Sequence, residues 1–430
     1  MRVGVVGAGY VGLTSAVCLA ERGHATVCVD VDARRVRTLA AGEAPIDEPG
    51  LPQLLTSTLR TGTLRFSGRF EELADCEVVF VCVPTPSRPD GSADLTAVDA
   101  AVGELARTLR PGAVVVMKST VPVGTTRTVI DRLRPTGISA VSNPEFLRES
   151  HAIYDFRHPD RILIGAADDR AADLLQQVYG AGDADVLRMS PESAELAKYA
   201  SNAFLAVKIS YANSLAQLCS RVGADVADVA RCMGADVRIG KHFLQPGPGW
   251  GGSCLPKDTA ALLDTGRRNG VELAEVASAR DTNLGQADRI VAALARTMTG
   301  PLEAARIAAF GLTFKAGTCD VRDSPALFIS NRLADLGAQV SGYDPRLAMI
   351  DQDAVRRASV AAVDDPYLAA KAADAIVVFT EWPEFRELDW VRIAGQAPAA
   401  VVMDTRNLLD PNEIMQAGLR YLGNGKVPGF

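Results

Sequence analysis

One cysteine of this 430-residue chain stands in a setting that favours a reactive thiol. Cys254 lies in GPGWGGSCLPKD, at the end of a glycine cluster and shortly before Lys257 and Asp258. Ser253 is suited to cap a helix that continues through Pro256, which would put Cys254 at a helix N-terminus beside a lysine. Both features lower the pKa of a thiol, so Cys254 is a candidate nucleophile. Asp258, one helical turn further on, could handle protons or only balance the helix dipole.

The other seven cysteines are expected to be structural and buried. They lie scattered at positions 18, 28, 76, 82, 219, 232 and 319, without a C-x-x-C pair. The four histidines do not complete a metal-ligand spacing with them, so the sequence predicts no metal site. Reduced thiols of this kind are typical of a cytoplasmic protein.

Two further pairs of polar residues have a spacing that suits chemistry. Lys198 and Asn202 are four residues apart in ELAKYASNAFL and would share one helix face. Apolar neighbours such as Phe204 predict that this helix is largely buried, where a lysine needs a partner. Glu145 and Glu149 are four residues apart in NPEFLRES, at a strand-to-helix junction. They could take part in chemistry, or one of them could cap the helix.

The elements that must position these residues begin with a nucleotide-binding pattern. RVGVVGAGYVGLTSAVCLAERGHATVCVD predicts strand, turn, helix and strand, with Gly7, Gly9 and Gly12 in G-x-G-x-x-G spacing. Gly7 permits the tight turn, Gly9 lets the backbone approach a pyrophosphate, and Gly12 allows close helix–strand packing. Asp30, which closes the second strand, would accept ribose hydroxyls and repel a 2′-phosphate. The pattern therefore favours NAD over NADP.

Further apolar runs, EVVFVCV, AVVVMKST and SAVSNPEF, predict strands whose C-terminal loops carry Thr85, Thr120 and Glu145. Such loops hold the ligands of open α/β sheets. A long helix is predicted from Pro191, followed by more helix to about Thr299.

The C-terminal part of the chain echoes the N-terminal part. ADAIVVFTEWP and AVVMDTRN resemble ADCEVVFVCVP and AVVVMKST, and a second strand–loop–helix–strand series starts near residue 306. Its first loop lacks G-x-G-x-x-G, so a phosphate ligand there would need side chains such as Lys315. We predict two Rossmann-like, doubly wound parallel-sheet α/β domains, residues 1–190 and 300–430, joined by a central helical region, residues 191–299.

Composition excludes several classes of function. Lys and Arg number 45 and Asp and Glu 52, a net charge of −7, which argues against nucleic acid as a partner. The first residues lack the features of a signal peptide, and the most apolar helix is interrupted by Lys208 and Asn213, so no membrane span is predicted.

Motifs along the whole chain resemble those of the nucleotide-sugar 6-dehydrogenase family. They are GAGYVG, VPTP, KSTVPVGTT, NPEFLRES, AKYASNAFLAVKIS, RIGKHFLQPGPGWGGSCLPKD, GLTFKAGTCDVRDSP, YDP and DTRN. The resemblance implies a four-electron oxidation of a sugar C6 alcohol to a carboxylate with two NAD, through a thiohemiacetal and a thioester on Cys254. UDP-glucose is the expected substrate, with GDP-mannose or a UDP-N-acetylhexosamine as alternatives.

The resemblance also implies residue roles, carried over by motif. The catalytic set would be Cys254, Lys198, Asn202, Asp258, Glu145 and Thr120. NAD would contact Gly7, Gly9, Tyr10, Val11, Gly12, Asp30, Thr85, Thr120, Glu149, Lys257 and Arg322. The nucleotide sugar would contact Glu145, Phe146, Leu147, Lys198, Asn202, Arg238, Gly251, Lys315 and Arg406. The residue matching Arg238 acts in a neighbouring subunit's site, which implies a homodimer or a higher homo-oligomer.

Some features depart from this family or leave other functions open. Ser150 replaces a frequent glycine, and Gly317–Asp320 reads GTCD where relatives often read NTDD.

Tyr367 and Lys371 match the Y-x-x-x-K spacing of short-chain dehydrogenases, but they lie far from the NAD pattern and we discount them. A two-electron β-hydroxyacid-type dehydrogenase would not need Cys254. A non-catalytic NAD sensor or redox-regulated binding protein could use Cys254 as a switch.

Overall fold

The computed structural model describes residues 1–180, 182, 184–427 and 429–430, which form two compact units. The first comprises Met1–Ser201 and Ala260–Gly270, and the second comprises Asn202–Thr259 and Val271–Phe430. Each unit is built on a largely parallel sheet, which confirms the predicted α/β fold class.

The sheet of the first unit has the strand order β3-β2-β1-β4-β5-β6-β7-β8. Its strands are β1 (Arg2–Val6), β2 (Ala25–Val29), β3 (Leu64–Ser67), β4 (Val78–Val81), β5 (Val114–Met117), β6 (Ser139–Ser142), β7 (Arg161–Ala166) and β8 (Asp185–Met189). Its helices are α1 (Tyr10–Glu21), α2 (Ala33–Ala40), α3 (Leu51–Arg60), α4 (Thr96–Thr108), α5 (Thr125–Leu133), α6 (Ala152–Arg157) and α7 (Asp169–Tyr179), with 3₁₀ turns at Phe70–Leu73 and Arg134–Thr136. Neighbouring strands are parallel except β6 and β7. The first six strands have the order of a doubly wound nucleotide-binding sheet.

Strand β4 shows why the apolar runs fold as they do. Val78 and Phe80 pack into the core on one face of the sheet, whereas Val79 and Val81 pack into the core on the other. Successive side chains of a strand alternate between faces, so a strand covered by helices on both sides must be apolar throughout.

The helices that follow are α8 (Pro191–Val222), α9 (Val226–Ala235), α10 (Leu255–Arg268) and α11 (Ala274–Thr297). The long helix predicted from Pro191 is therefore confirmed. Its predicted burial is only half right, because Phe204 and Leu218 are 64% and 55% exposed. Among the residues that the structure describes, none of the helices combines the length and apolarity that crossing a membrane requires.

The sheet of the second unit has the order β11-β10-β9-β12-β13-β14, with all neighbours parallel. Its strands are β9 (Arg306–Phe310), β10 (Gln339–Tyr343), β11 (Val360–Ala362), β12 (Ala375–Val378), β13 (Val401–Asp404) and β14 (Arg420–Gly423). Its further helices are α12 (Pro325–Asp335), α13 (Gln352–Arg357), α14 (Pro366–Ala369), α15 (Trp390–Gln396) and α16 (Pro411–Gln416), with a 3₁₀ turn at Pro383–Glu387. Strands β12 and β13 occupy the places that β4 and β5 hold in the first sheet, so the sequence echo reflects a repeated topology.

Candidate active site

The turn between β1 and α1 has the backbone that the glycine spacing predicts. Gly7 has a φ of 94°, in the left-handed region that favours glycine, and its N–H donates to the Val29 carbonyl at 2.7 Å. A Cβ on Gly12 would lie 1.8 Å from the Gly7 oxygen, so α1 can pack this closely only because residue 12 lacks a side chain. A Cβ on Gly9 would meet no atom within 4 Å. The backbone at Gly9 is therefore accessible to a pyrophosphate at the N-terminus of α1.

Asp30, directly after β2, is only 6% exposed and is held in place by the turn. Its Oδ2 accepts hydrogen bonds from the Ala8 N–H at 2.7 Å and from Arg35 Nη1 at 3.1 Å. A carboxylate fixed at this position is suited to accept the ribose hydroxyls of NAD. The residues of this turn therefore fit the cofactor that the sequence predicts.

Alanine at Gly9 and alanine at Gly12 should have different effects, which tests this reading of the turn. We expect Gly9→Ala to leave the free energy of unfolding within about 1 kcal/mol, since φ is −73° there. It should raise the KM for NAD about tenfold or more, because the new methyl keeps the pyrophosphate from the backbone. Gly12→Ala should instead destabilise the fold by about 1–3 kcal/mol or more. Urea unfolding and steady-state kinetics measure both, and an unchanged KM for NAD in Gly9→Ala would contradict the assignment.

The loops after β4, β5 and β6 carry the polar residues that the sequence placed there. Thr85 Oγ1 donates to the Thr120 carbonyl oxygen at 2.9 Å, which ties the first two loops together. Glu145 follows β6 and is 9% exposed. These loops lie at the carboxyl ends of adjacent parallel strands, as expected for ligand-binding loops.

Glu145 and Lys198 form a buried ion pair, with Lys198 Nζ 3.3 Å from Glu145 Oε1. Lys198 is 3% exposed, and its ammonium also lies 5.0 Å from the ring centroid of Phe146. The second carboxylate oxygen accepts the Leu147 N–H at 2.5 Å, so Glu145 closes a local turn and caps no helix. The structure thus brings four predicted substrate residues together, and it gives the buried lysine the partner that its burial requires.

Glu48 is a buried residue that our sequence reasoning missed. It is 3% exposed, accepts the Tyr10 hydroxyl hydrogen bond, and accepts the Ile153 N–H at 3.3 Å. The Ser150 N–H donates to the Tyr10 oxygen at 3.0 Å. Ser150 has a φ of 68°, in the left-handed region that favours glycine. These bonds connect the first turn of α1, which carries Tyr10 and Val11, to the loop that carries Glu149. Burial of the Tyr10 hydroxyl, and its hydrogen bond to the Glu48 carboxylate, raise the pKa of Tyr10.

Helix α10 begins at Leu255, one residue later than a cap at Ser253 would require. The Cys254 carbonyl accepts the Asp258 N–H at 2.9 Å, the first bond of the helix, so Cys254 itself is the N-cap residue. The prediction of Ser253 as the cap is therefore wrong by one residue, whereas Pro256 lies in the first turn as expected. The thiol of Cys254 is half-buried and lies 3.6 Å from Ser253 Oγ. The side chain of an N-cap residue ordinarily faces the N–H groups of the first helical turn.

Asp258 is 1% exposed and is bonded on both carboxylate oxygens. Asn202 Nδ2 donates at 2.6 Å, and Lys257 Nζ donates at 2.5 Å. Lys257 is therefore ion-paired with Asp258. Asn202 lies on α8, four residues after Lys198.

The remaining cysteines differ in burial. Cys18, Cys28, Cys76, Cys82 and Cys219 are buried, as predicted. Burial raises the pKa of both Cys18 and Cys82 to about 12, which keeps these thiols protonated at neutral pH. Cys319 is half-buried and Cys232 is exposed, so the expectation of burial is wrong for these two.

The second unit gathers basic side chains around the loops after β9 and β13. Arg406 donates to the Phe314 carbonyl at 3.2 Å and is ion-paired with Glu381 at 3.0 Å. Lys315 Nζ lies 5.8 Å from the Phe314 ring centroid. Arg322, on the same loop as Lys315, is paired with Asp320 at 2.7 Å. Phe314 thus links two of the predicted substrate-binding residues, Lys315 and Arg406.

Gly251 and Arg238 have contrasting surroundings. A Cβ on Gly251 would lie 1.9 Å from the Asp323 oxygen, so only glycine fits there. The Arg238 side chain is 85% exposed and pairs at 2.6 Å with Asp236, on the surface of its own chain.

Tyr367, from the discounted motif, stacks with Arg392 and its hydroxyl accepts the Asp389 N–H, which is a structural role.

Comparison with family models matches the chain in three parts. The NAD binding domain of the UDP-glucose/GDP-mannose dehydrogenase family matches residues 1–182, its central domain residues 192–284, and its UDP binding domain residues 308–411. The three matches cover most of both sheets and the helices between them.

Individual relatives align over nearly the whole chain. The UDP-glucose 6-dehydrogenase of Rhizobium meliloti is 44% identical, covering 99% of this chain and 100% of that protein. The UDP-glucose 6-dehydrogenase of Pseudomonas aeruginosa is 41% identical over 99% and 98% of the two chains. The solved structure of a UDP-glucose dehydrogenase from Pyrobaculum islandicum is 38% identical, with a TM-score of 0.90 over 99% of this chain and 98% of that one.

Proposed function

The chain belongs to the UDP-glucose/GDP-mannose dehydrogenase family, and we propose that it oxidises the C6 alcohol of UDP-glucose to a carboxylate. NAD, when bound, accepts a hydride in each of two successive oxidations. The observation that carries the proposal is the thiol of Cys254 at the N-cap of α10. An alcohol needs no thiol to become an aldehyde, but an aldehyde needs an added nucleophile before its carbon can release a second hydride.

The proposed reaction has four steps. The alcohol loses a proton and a hydride and becomes an aldehyde. The Cys254 thiolate adds to the carbonyl carbon, and the resulting oxyanion takes up a proton to give a thiohemiacetal. Loss of a second proton and hydride gives a thioester. Water then adds to the thioester carbon, the C–S bond breaks, and the carboxylate, the thiol and one proton are released.

The residues around these steps have proposed roles that follow from their chemistry. Lys198 is the cation that stabilises the developing oxyanion, and its carboxylate partner Glu145 accepts protons together with Thr120. The Asn202–Asp258 pair orients water and polarises the oxygen at C6.

Binding roles follow the same division of the chain. We assign the sugar nucleotide to Phe146, Leu147, Gly251, Lys315 and Arg406. NAD is assigned to the glycine turn, Tyr10, Val11, Asp30, Thr85, Thr120, Glu149, Lys257 and Arg322. In this proposal residues 1–190 bind NAD, residues 191–299 form the dimerisation region, and residues 300–430 bind the nucleotide, in a cytoplasmic enzyme.

Product stoichiometry tests the function directly. Purified protein should yield about two NADH per UDP-glucose and far less with GDP-mannose or UDP-N-acetylmannosamine. Preferential turnover of either alternative would replace the substrate. Absence of NADH with the whole panel would leave the NAD-sensor reading instead.

We propose that α8 pairs with α8 of a second copy. Phe204, Tyr211 and Leu218 recur every seven residues and are each more than half exposed, so an apolar stripe runs along this helix. Lys208 of α8 donates to the Ile239 carbonyl at 3.0 Å, so a second copy that covers the stripe would lie near the exposed Arg238, as the resemblance implies.

A charge on this stripe should dissociate the dimer. We expect Leu218→Glu to weaken self-association about 10²-fold, since it removes a leucine that the proposed interface would cover and puts a carboxylate in its place. Light scattering across a concentration series measures the dissociation constant. Leu336→Glu, on an exposed leucine after α12, is the matched control and should remain dimeric. A wild-type protein that is monomeric at micromolar concentration would overturn the assignment.

A further inference from the structure

The loop that carries Cys254 is held by a set of buried and half-buried side chains that the proposed chemistry does not use. We call residues 247–254 the cysteine loop. It contains no helix or strand, yet residues 247–252 are buried. A buried irregular segment must satisfy its backbone hydrogen bonds with side chains, so the partners of this loop define its position.

Helix α11 supplies most of these partners. Asn283 Oδ1 accepts the Trp250 N–H at 2.8 Å, while its Nδ2 donates to the Trp250 carbonyl at 3.0 Å. One amide thus pairs with both backbone groups of one residue, as a neighbouring strand would. Gln286 Nε2 donates to the Gly247 carbonyl at 2.9 Å.

The same helix face continues to the start of α10. Arg280 Nη1 donates to the Pro256 carbonyl at 2.9 Å and to Thr259 Oγ1 at 2.6 Å. Arg280, Asn283 and Gln286 are spaced by three residues, so they rise along one side of α11. They contact the chain in reverse order, at residues 256, 250 and 247, on both sides of Cys254.

Helix α8 holds the loop from another side. Asn213 Oδ1 accepts the Gly247 N–H at 2.8 Å. The Trp250 indole N–H donates to Ser210 Oγ at 2.9 Å, and that hydroxyl donates onward to the Ala279 carbonyl of α11 at 2.7 Å. Trp250 is 6% exposed, and Ser210 and Asn213 are 3% and 1% exposed.

The glycines of the loop are required by this close fit. A Cβ on Gly249, whose φ is 129°, would lie 2.8 Å from Asn283 Oδ1. The Gly252 N–H donates to the Arg322 carbonyl at 3.0 Å, which fixes the last turn before the cysteine. The loop therefore has little freedom to move without breaking hydrogen bonds inside the core.

From this geometry we infer that Asn283, with Arg280 and Gln286, is a positioning residue that sets where the Cys254 thiol lies. The inference rests on the proposed function for its effect on turnover. Its effect on the thiol does not depend on that function. A displacement of about 1 Å at a reacting group can lower turnover about 10²-fold, so a residue that never touches substrate can control the rate.

Asn283→Asp tests the inference with an almost isosteric change. The carboxylate still accepts the Trp250 N–H, but its second oxygen meets the Trp250 carbonyl with no proton between them. In the full-length protein we expect kcat for UDP-glucose to fall about 10²-fold while the KM for NAD stays within about twofold. Alkylation of Cys254 by iodoacetamide, followed by mass spectrometry, should accelerate about tenfold relative to the exposed Cys232, since the half-buried thiol is released. Asp288→Asn, the reverse exchange at an exposed position of α11, should change neither quantity.

The outcomes separate the two proposals. Faster alkylation with unchanged kcat would support the positioning role and contradict the role of Cys254 in turnover. A lower kcat with unchanged alkylation would overturn the positioning role, as would no change in either.

A milder pair of variants covers the case in which Asn283→Asp does not fold. Trp250→Phe keeps an aromatic ring of smaller size and removes the indole N–H, and Ser210→Ala removes the hydroxyl that accepts from it. Each should lower kcat about threefold to tenfold, and the double variant should match the single ones. A wild-type kcat and a wild-type alkylation rate in both variants would show that the contacts of Trp250 do not position the thiol, and would overturn the inference.

Discussion

Replacing Cys254 with serine should stop the reaction after its first half. The serine hydroxyl keeps the N-cap position of α10 but is a far weaker nucleophile at neutral pH than a thiol. The first oxidation, which needs no covalent bond, can still proceed. We expect kcat for carboxylate formation to fall on the order of 10³-fold or more. In a single turnover with enzyme in excess, NADH should fall from about two per sugar to about one or less. Stopped-flow absorbance at the NADH band measures both quantities.

Cys232→Ser is the matched control, because this thiol is exposed on α9 and has no proposed role. It should retain the wild-type rate and stoichiometry. If Cys254→Ser retained the wild-type rate and two NADH per sugar, the thioester route would be wrong. A wild-type yield of about one NADH, unaffected by the substitution, would favour a two-electron dehydrogenase.

The sheets and the cofactor turn were predictable from the sequence because their signals are local. Continuous apolar runs occur where both faces of a strand are buried. All four residues of β4 are buried in the structure. The G-x-G-x-x-G spacing encodes steric limits at single residues, and a Cβ on Gly12 would indeed collide with the Gly7 oxygen. Both requirements are written in neighbouring residues, so they need no knowledge of distant contacts.

Other features depend on partners that are remote in the sequence. A hydrogen-bond partner of Glu48 is 105 residues away and that of Asn283 is 33 residues away. Neither an acid in a Pro-Gly turn nor an amide in a helix signals such a contact. The apolar neighbours of Lys198 predicted a buried helix, but hydrophobicity alone does not distinguish a core from an exposed apolar surface, such as the one around Phe204. The sequence predicted Ser253 as the N-cap, whereas the structure has Cys254. Backbone hydrogen bonds fix the end of a helix, and a sequence pattern predicts that end only to within one or two residues.

Lys198→Met should impair both the stability and the activity of the protein, for different reasons. The ammonium is buried and lies 3.3 Å from Glu145, so its removal leaves a buried carboxylate without its cation. Breaking such a pair lowers the free energy of unfolding by about 3–5 kcal/mol. The loss of the cation that we propose to stabilise the oxyanion should lower kcat about 10²–10³-fold. Chemical denaturation and steady-state kinetics measure the two effects separately.

The double variant Lys198→Met/Glu145→Gln distinguishes these effects from each other. With both charges removed, the site holds a neutral amide beside a thioether, and stability should return to within about 1.5 kcal/mol of the wild type. Activity should stay low, because neither the cation nor the proton acceptor is restored. Lys371→Met, at the exposed lysine of the discounted Y-x-x-x-K motif, should leave both quantities unchanged. Recovery of activity together with stability would mean that Lys198 serves the fold alone, and the oxyanion would then need another stabilising group.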